Sequence, residues 1–322
     1  MKSRGTRLLN RREFNERCVA LSSMVTLSSA LALDATTTVA ATSTTRTVKF
    51  RDGAIVPAIG QGSWHLGQGR HPAAVEEETL RTGLFLGMTL IDTAEGYSNG
   101  RSEELIGRAI AGQRDRVFLV SKVDHMTTGD AIARACEASL SRLGTDHLDL
   151  YLAHWRDRGA DLSVIVRAFE SLRTAGEIRA WGVSNFSVRD MEELFHIPHG
   201  DLCATNQLPY NIGDRAIERD LLPWCEQHGM PVMAYSPLGG LGASLLRDPT
   251  LTQIGEAHGS SAAAVALAWT IRSGNVIAIP ESGSVAHVKE NAVALSLTLT
   301  AQELQALDAA HPLLGHEHLI GR

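Results

Sequence analysis

Leu90-Ile91-Asp92-Thr93-Ala94-Glu95-Gly96-Tyr97 is the stretch that decides how the rest of the chain is read. Leu90 and Ile91 complete an apolar run of the kind that forms a short buried strand. Asp92 places a carboxylate where that strand gives way to loop, and Tyr97 follows a small turn containing Gly96. A phenol is a weak acid, with a pKa of about 10, so proton donation from Tyr97 needs a positive neighbour. The next apolar run, Val117-Phe118-Leu119-Val120-Ser121, ends in Lys122. The one after it, Leu148-Asp149-Leu150-Tyr151-Leu152-Ala153, ends in His154. Taken singly, an Asp or Lys behind a strand is ordinary solvated loop, and an isolated His is more often structural than catalytic. Together, at the same end of successive strands, they define a surface. In a barrel of parallel strands those ends converge on the active face.

Working outward, Val48-Lys49-Phe50, Arg51-Asp52-Gly53 and Ala54-Ile55-Val56 read as a β-hairpin around an Asp-Gly turn. Ile59-Gly60-Gln61-Gly62-Ser63 reads as the first barrel strand, with glycines that admit close backbone neighbours. Helices are expected from Pro72 to about Leu86, from Ser102, from about Asp130 to Leu143, and from about Leu162 to Ala175, where Gly176 stops the last. Further strands are expected at Ala180–Phe186, Cys203–Leu208, Pro231–Pro237 and Val276–Pro280. A closing helix from about Thr300 to Ala310 opens on the capping-box pattern Thr300-Ala301-Gln302-Glu303. Eight βα units counted from Ile59 predict a parallel sheet closed as a (β/α)8 TIM barrel, an α/β fold, with the hairpin as an N-terminal plug.

The chain has 322 residues, 44% of them hydrophobic, which suffices for one large core. A formal charge of −6 argues against nucleic acid as a partner, and no apolar run of about 18 residues exists to span a membrane. Cys136, Cys203 and Cys225 show no metal-like spacing and read as small buried residues, so no metal is expected. The first 45 residues differ from the rest. Arg11-Arg12-Glu13-Phe14, a weakly apolar Ser/Ala-rich run from Val19 to Leu33, and Val39-Ala40-Ala41 read as a twin-arginine export signal. The other reading is an unstructured extension, or a misassigned start in front of a cytoplasmic enzyme, with Asp34 and the weak hydrophobicity in its favour. The organisation expected is therefore a signal over 1–45 and one barrel domain over 46–322.

Asp92-Thr93-Ala94-x-x-Tyr97, Ser121-Lys122 and Leu150-Tyr151-Leu152-x-His154 resemble the Asp/Tyr/Lys/His tetrad of the aldo-keto reductases. The likeness runs from about Val48 to about Pro312 and is nearest to the bacterial methylglyoxal and small-aldehyde reductase group. It implies hydride transfer from NADP(H) or NAD(H) to the carbonyl of small or varied aldehydes and ketones. Tyr97 would donate the proton. Lys122, oriented by Asp92, would lower the phenol pKa, and His154 would orient the carbonyl.

The resemblance also assigns a cofactor path. Ser184, Asn185 and Gln207 would hold the nicotinamide carboxamide, although such residues also serve as plain strand-end caps. Tyr235 would stack on the nicotinamide, and Ser236, Leu238 and Gly239 would follow the pyrophosphate. Ser282 would meet the phosphate end of the adenine ribose, and Glu290 and Asn291 the adenine. No GxGxxG follows a strand, so a Rossmann domain is not implied. Two positions depart from the family: Glu281 stands where lysine is usual and His287 where arginine is common, which leaves NADP preference open. Trp64 and Trp155 would wall a shallow substrate pocket, or pack in the core. The short tail after Pro312 suits an open site for glyoxal-type and aromatic aldehydes in a monomer. Two other readings remain at this point: a nucleotide-binding auxiliary barrel with slow turnover, and an unrelated metal-dependent barrel hydrolase.

Overall fold

The structure is a computed structural model that describes residues 45–124, 128–156, 159, 161–240 and 244–313. The proposed export signal and the last residues of the tail lie outside the described residues. The hairpin forms from β1 (Thr47–Lys49) and β2 (Ile55–Pro57), antiparallel with Val48 opposite Val56. Both valines are buried, and Phe50 stacks on Phe118 with ring centroids 5.5 Å apart. Phe118 begins a barrel strand, so the hairpin covers the end of the barrel away from Lys122.

Seven parallel strands follow in sequential order: β3 (Leu90–Asp92), β4 (Phe118–Val123), β5 (Leu148–Ala153), β6 (Ile178–Ser184), β7 (Asn206–Pro209), β8 (Val232–Tyr235) and β9 (Val276–Ala278). The expected first barrel strand is not a regular strand. Residues 59–62 bridge singly to both edges of the sheet: Ile59 to Ala278, Gln61 to Ile91 and Gly62 to Glu281. Backbone hydrogen bonds run from Gly60 N to Ala278 O (2.8 Å) and from Gln61 N to Leu90 O (2.9 Å), so this segment takes the eighth position and closes the ring.

Helices α1 (Ala73–Phe85), α2 (Arg101–Ile110), α3 (Gly129–Leu143), α4 (Leu162–Ala175), α5 (Val188–Phe195), α6 (Leu221–Gln227), α7 (Pro249–Ala257), α8 (Ala262–Thr270), α9 (Val285–Val293) and α10 (Ala301–Ala310) lie between and after the strands. Their ends follow local chemistry. Thr128 Oγ1 accepts from Ala131 N at the start of α3, and Ser187 with Asp190 forms a capping box on α5. The capping box expected at Thr300 and Glu303 is present. Gly176 ends α4 with φ 83°, a conformation that glycine adopts without strain. The strand expected from Cys203 starts only at Asn206, because Gly200–Leu202 coils into a helical turn just before it. Cys136, Cys203 and Cys225 are buried free thiols, each pushed up to about 12 by burial.

Closure depends on the missing side chain at Gly60. A Cβ there would lie 2.7 Å from Leu90 Cδ2 and 3.0 Å from Leu90 O. Gly60→Ala should therefore destabilise the protein by about 1–3 kcal/mol, as overpacking does in tight cores. An unchanged urea-unfolding midpoint would show that the eighth position is looser than described.

Candidate active site

The site is built from the C-terminal ends of the strands. Asp92 closes β3, and Lys122 lies on the neighbouring β4, where Asp92 pairs with Val120. Lys122 Nζ donates to Asp92 Oδ2 (2.7 Å), Thr93 O (2.7 Å) and Tyr97 Oη (3.2 Å). An ammonium has three hydrogens, and all three are used. The other Asp92 oxygen accepts from Gln207 Nε2 (2.7 Å), which arrives from β7 across the barrel. The Lys122 side chain is 0% exposed and that of Asp92 3%, so this is a fully desolvated ion pair. Burial alone would lower the Lys122 pKa. The Asp92 carboxylate and the Tyr97 oxygen outweigh it, and the ammonium titrates above its ordinary value.

Tyr97 departs from the sequence expectation. Burial raises its pKa more than Lys122 lowers it, with Asp92 adding a smaller upward push, so the phenol sits above its ordinary value. The expected lowering by lysine is present as one contribution, but desolvation wins. At neutral pH the group is a phenol carrying its proton, and its oxygen accepts from the buried Lys122 ammonium. Its loop is tightly constrained: Ser98 (φ 54°) and Asn99 (φ 55°) are left-handed, and Ser98 Oγ donates to Leu66 O (2.9 Å). Asn185 (φ 63°) and Ser236 (φ 50°), which line the same cleft, are left-handed too. Such conformations in non-glycine residues cluster at functional sites.

His154 follows β5 directly. Its backbone N donates to Val123 O (3.0 Å), and its Nδ1 hydrogen-bonds Asp124 Oδ1. The ring meets Tyr97 edge-on at 5.8 Å between centroids and stacks on Trp155 at 5.7 Å. A polar web extends from there. Asn185 Nδ2 donates to His154 O (3.2 Å) and Ser184 Oγ (3.0 Å), and Tyr235 Oη donates to Asn185 Oδ1 (2.9 Å). Ser184 Oγ donates to Gln207 O (2.9 Å).

A cleft of about 570 Å³ opens over these groups, lined by Asp92, Tyr97, His154, Trp64, Trp155, Ser184, Asn185, Gln207, Tyr235, Ser236, Leu238 and Glu281. Lys122 lies beneath it and reaches it through Tyr97. Trp64 and Trp155 are 50% and 52% exposed, which rules out the core-packing reading. Gly239, Ser282, His287, Glu290 and Asn291 fall outside the lining. Asn291 is buried within α9, His287 and Glu290 are exposed on it, and Ser282 Oγ donates to Ser284 O (3.1 Å) just ahead of it.

Glu281 is held by the segment that closes the ring. It accepts from His65 N (2.9 Å), and its carboxylate lies 3.0 Å from His65 Nδ1. Sequence reading missed His65 and Asp124 because both act through partners far away in the chain. Their only local signal is a position beside a strand end. Among the described residues, no group of three His, Cys, Asp or Glu side chains could hold a metal ion. The cleft does fit a nicotinamide: a carboxamide needs mixed donors and acceptors, and Ser184, Asn185 and Gln207 supply them next to the half-buried Tyr235 ring.

Comparison with known proteins agrees with this geometry. Residues 58–312 match the aldo/keto reductase family. The chain is 49% identical over 269 residues to methylglyoxal reductase YeaE of Escherichia coli, covering 82% of this chain and 94% of that protein. It is 34% identical over 275 residues to glyoxal reductase of Bacillus subtilis, covering 83% and 94%. Among solved structures, an aldo/keto reductase from Klebsiella pneumoniae in complex with NADP and acetate superposes with a TM-score of 0.80 at 47% identity, over 83% of this chain and 96% of that one. A Klebsiella pneumoniae structure in complex with NADPH matches equally well, with TM-score 0.80 and 47% identity over 83% and 95% of the two chains.

The buried pair makes a stability prediction. Asp92→Ala leaves the Lys122 ammonium desolvated with only neutral oxygens around it. The cost should be about 3–5 kcal/mol, as for other buried pairs broken on one side, read as a lowered urea midpoint. A loss below about 1 kcal/mol would mean that water reaches Lys122.

Proposed function

The chain belongs to the aldo/keto reductase family, and from that premise we propose that it reduces small reactive aldehydes, with Tyr97 as the proton donor. Its reaction class is NAD(P)H-dependent carbonyl reduction. The observation that carries the assignment of Tyr97 is its 3.2 Å contact with Lys122 Nζ, at the base of a cleft that His154 also lines.

In this reading the carbonyl oxygen sits between Tyr97 Oη and His154. Reduced nicotinamide, when bound, supplies the hydride. Negative charge then develops on the oxygen, and the Tyr97 proton neutralises it. Lys122 stabilises the phenolate left behind, and Asp92 holds Lys122 in place, so the charges are arranged before reaction begins. Ser184, Asn185 and Gln207 would hold the carboxamide, and Tyr235 would stack on the ring. Ser236, Leu238 and Gly239 would follow the pyrophosphate, and Ser282, Glu290 and Asn291 would meet the adenosine end beyond the cleft. Trp64 and Trp155 flank the substrate. The open cleft and the likeness to a methylglyoxal reductase and a glyoxal reductase support α-oxoaldehydes as substrates.

We further propose that NADH is used at least comparably to NADPH. The Klebsiella relatives hold NADP and NADPH, but this chain presents Glu281 where a lysine would meet the 2′-phosphate. A carboxylate offers no hydrogen bond to that phosphate, whereas it can accept one from a free 2′-hydroxyl. The export reading of Arg11-Arg12 also stands as a proposal, supported by the weakly apolar run behind it.

Three measurements test these proposals. Tyr97→Phe should lower kcat by about 10² or more while cofactor still binds, and near wild-type turnover would remove the assignment. Glu281→Lys should shift kcat/KM toward NADPH by about tenfold, or about 1.4 kcal/mol. A wild-type enzyme hundreds of times better with NADPH, and indifferent to that change, would place the phosphate elsewhere. Replacing Arg11 and Arg12 by lysine should trap a full-length precursor in the cytoplasm, and uncleaved wild-type protein found there would dismiss the signal.

A further inference from the structure

We propose that Asp124 is a positioning residue that fixes the tautomer of His154, so that the ring's free nitrogen carries a hydrogen only when the imidazole is cationic. The inference rests on the reading of His154 as the group that meets the carbonyl. It adds a residue and a proton state that the tetrad does not contain.

The pair is built by strand register. Val123 lies opposite Ala153, so the next residues, Asp124 and His154, emerge side by side. Asp124 Oδ1 bonds His154 Nδ1, and the backbone N of Asp124 donates to Glu95 Oε1 (2.7 Å). Gly96 makes room for the carboxylate: a Cβ there would lie 1.9 Å from Asp124 Oδ2. The side chains are 14% (His154) and 26% (Asp124) exposed, so water does little to loosen the contact.

An ionised carboxylate only accepts hydrogen bonds. The Nδ1 of His154 must therefore carry a hydrogen, and in the neutral ring Nε2 is then bare. A bare nitrogen turns its lone pair toward the carbonyl oxygen, which also bears lone pairs, and the two repel. Only the imidazolium presents an N–H to that oxygen. The carbonyl carbon still takes the hydride and the oxygen still takes the Tyr97 proton. His154 ends with the proton it began with.

The charges around the ring come from each packed element. From the loop after β3 come Glu95, whose carboxyl is pushed up by burial and by the charge of Asp124 against the pull of the Asp124 N–H, and Tyr97, edge-on to the ring. Behind Tyr97 stand Lys122 on β4 and Asp92 on β3. From β6, Asn185 contributes an uncharged contact, and through it the β8 phenol of Tyr235 is reached. None of these except Asp124 hydrogen-bonds a ring nitrogen of His154 among the described residues. Deprotonating the ring removes that N–H, so reduction should fall as pH rises.

The test uses the folded enzyme with ¹⁵N-labelled histidine, His154 being assigned among the 13 histidines by its loss in His154→Gln. At the high-pH end of the ¹⁵N titration, where the spectrum itself shows the ring to be neutral, the wild-type ring should be the Nδ1–H tautomer, and Asp124→Asn should shift it toward Nε2–H. In parallel, wild-type kcat/KM for aldehyde reduction should fall about tenfold per pH unit above the imidazole pKa. Asp124→Asn should lose that limb and Asp124→Glu should keep it. Nε2–H in the wild type, a wild-type rate flat across the imidazole range, or identical profiles for wild type and Asp124→Asn would each overturn the proposal. If no variant reduces aldehydes at all, the functional reading fails, and the ¹⁵N spectrum still decides the tautomer.

Discussion

A lysine ammonium with no exposure to water constrains everything around Lys122. Taking such a charge out of water is costly unless each hydrogen finds an oxygen. Here a carboxylate, a carbonyl and a phenol supply the three, from Asp92, Thr93 and Tyr97. That need fixes how far β3 can slide along β4. It draws in Gln207 from across the barrel to complete Asp92, and it ties the Tyr97 loop down. The arrangement that avoids an unpaired buried charge is the same one that directs a phenol proton into the cleft.

Catalytic preorganisation extends outward through hydrogen bonds. Gln207 serves Asp92 through its side chain and Ser184 through its backbone oxygen. Ser184 and the backbone of His154 hold Asn185, which in turn receives Tyr235. The cofactor-side residues and the tetrad therefore form one network, and a substitution on either side should be felt on the other. Glu281 is the exception. It is fastened to His65 at the opposite edge of the ring closure, where Gly62 bridges to it, so its carboxylate is set by the same segment that completes the barrel.

Much of this was legible in the chain because strand ends carry their chemistry in adjacent residues. Asp92, Lys122 and His154 each follow an apolar run, and α4 begins and ends where Leu162 and Gly176 place it. The first barrel strand was legible as a position but not as a form. Gly60 and Gly62 permit contact on both sides without building a continuous ladder, a feature visible only once the neighbours are in place. The direction of the Tyr97 shift was misread, since the sequence names the lysine but does not disclose how deeply the phenol is buried. Asp124 and His65 were invisible for the same reason: each matters through a partner 30 or more positions away.

The central claim is that the buried cation exists to serve the phenol. The direct measurement is turnover of methylglyoxal by Lys122→Met, which keeps the length of the side chain and removes its charge. Cofactor affinity and the unfolding midpoint should be read on the same preparation. The account predicts kcat lower by about two orders of magnitude or more, with cofactor affinity little changed in protein that remains folded. Folded Lys122→Met enzyme turning over near the wild-type rate would contradict it.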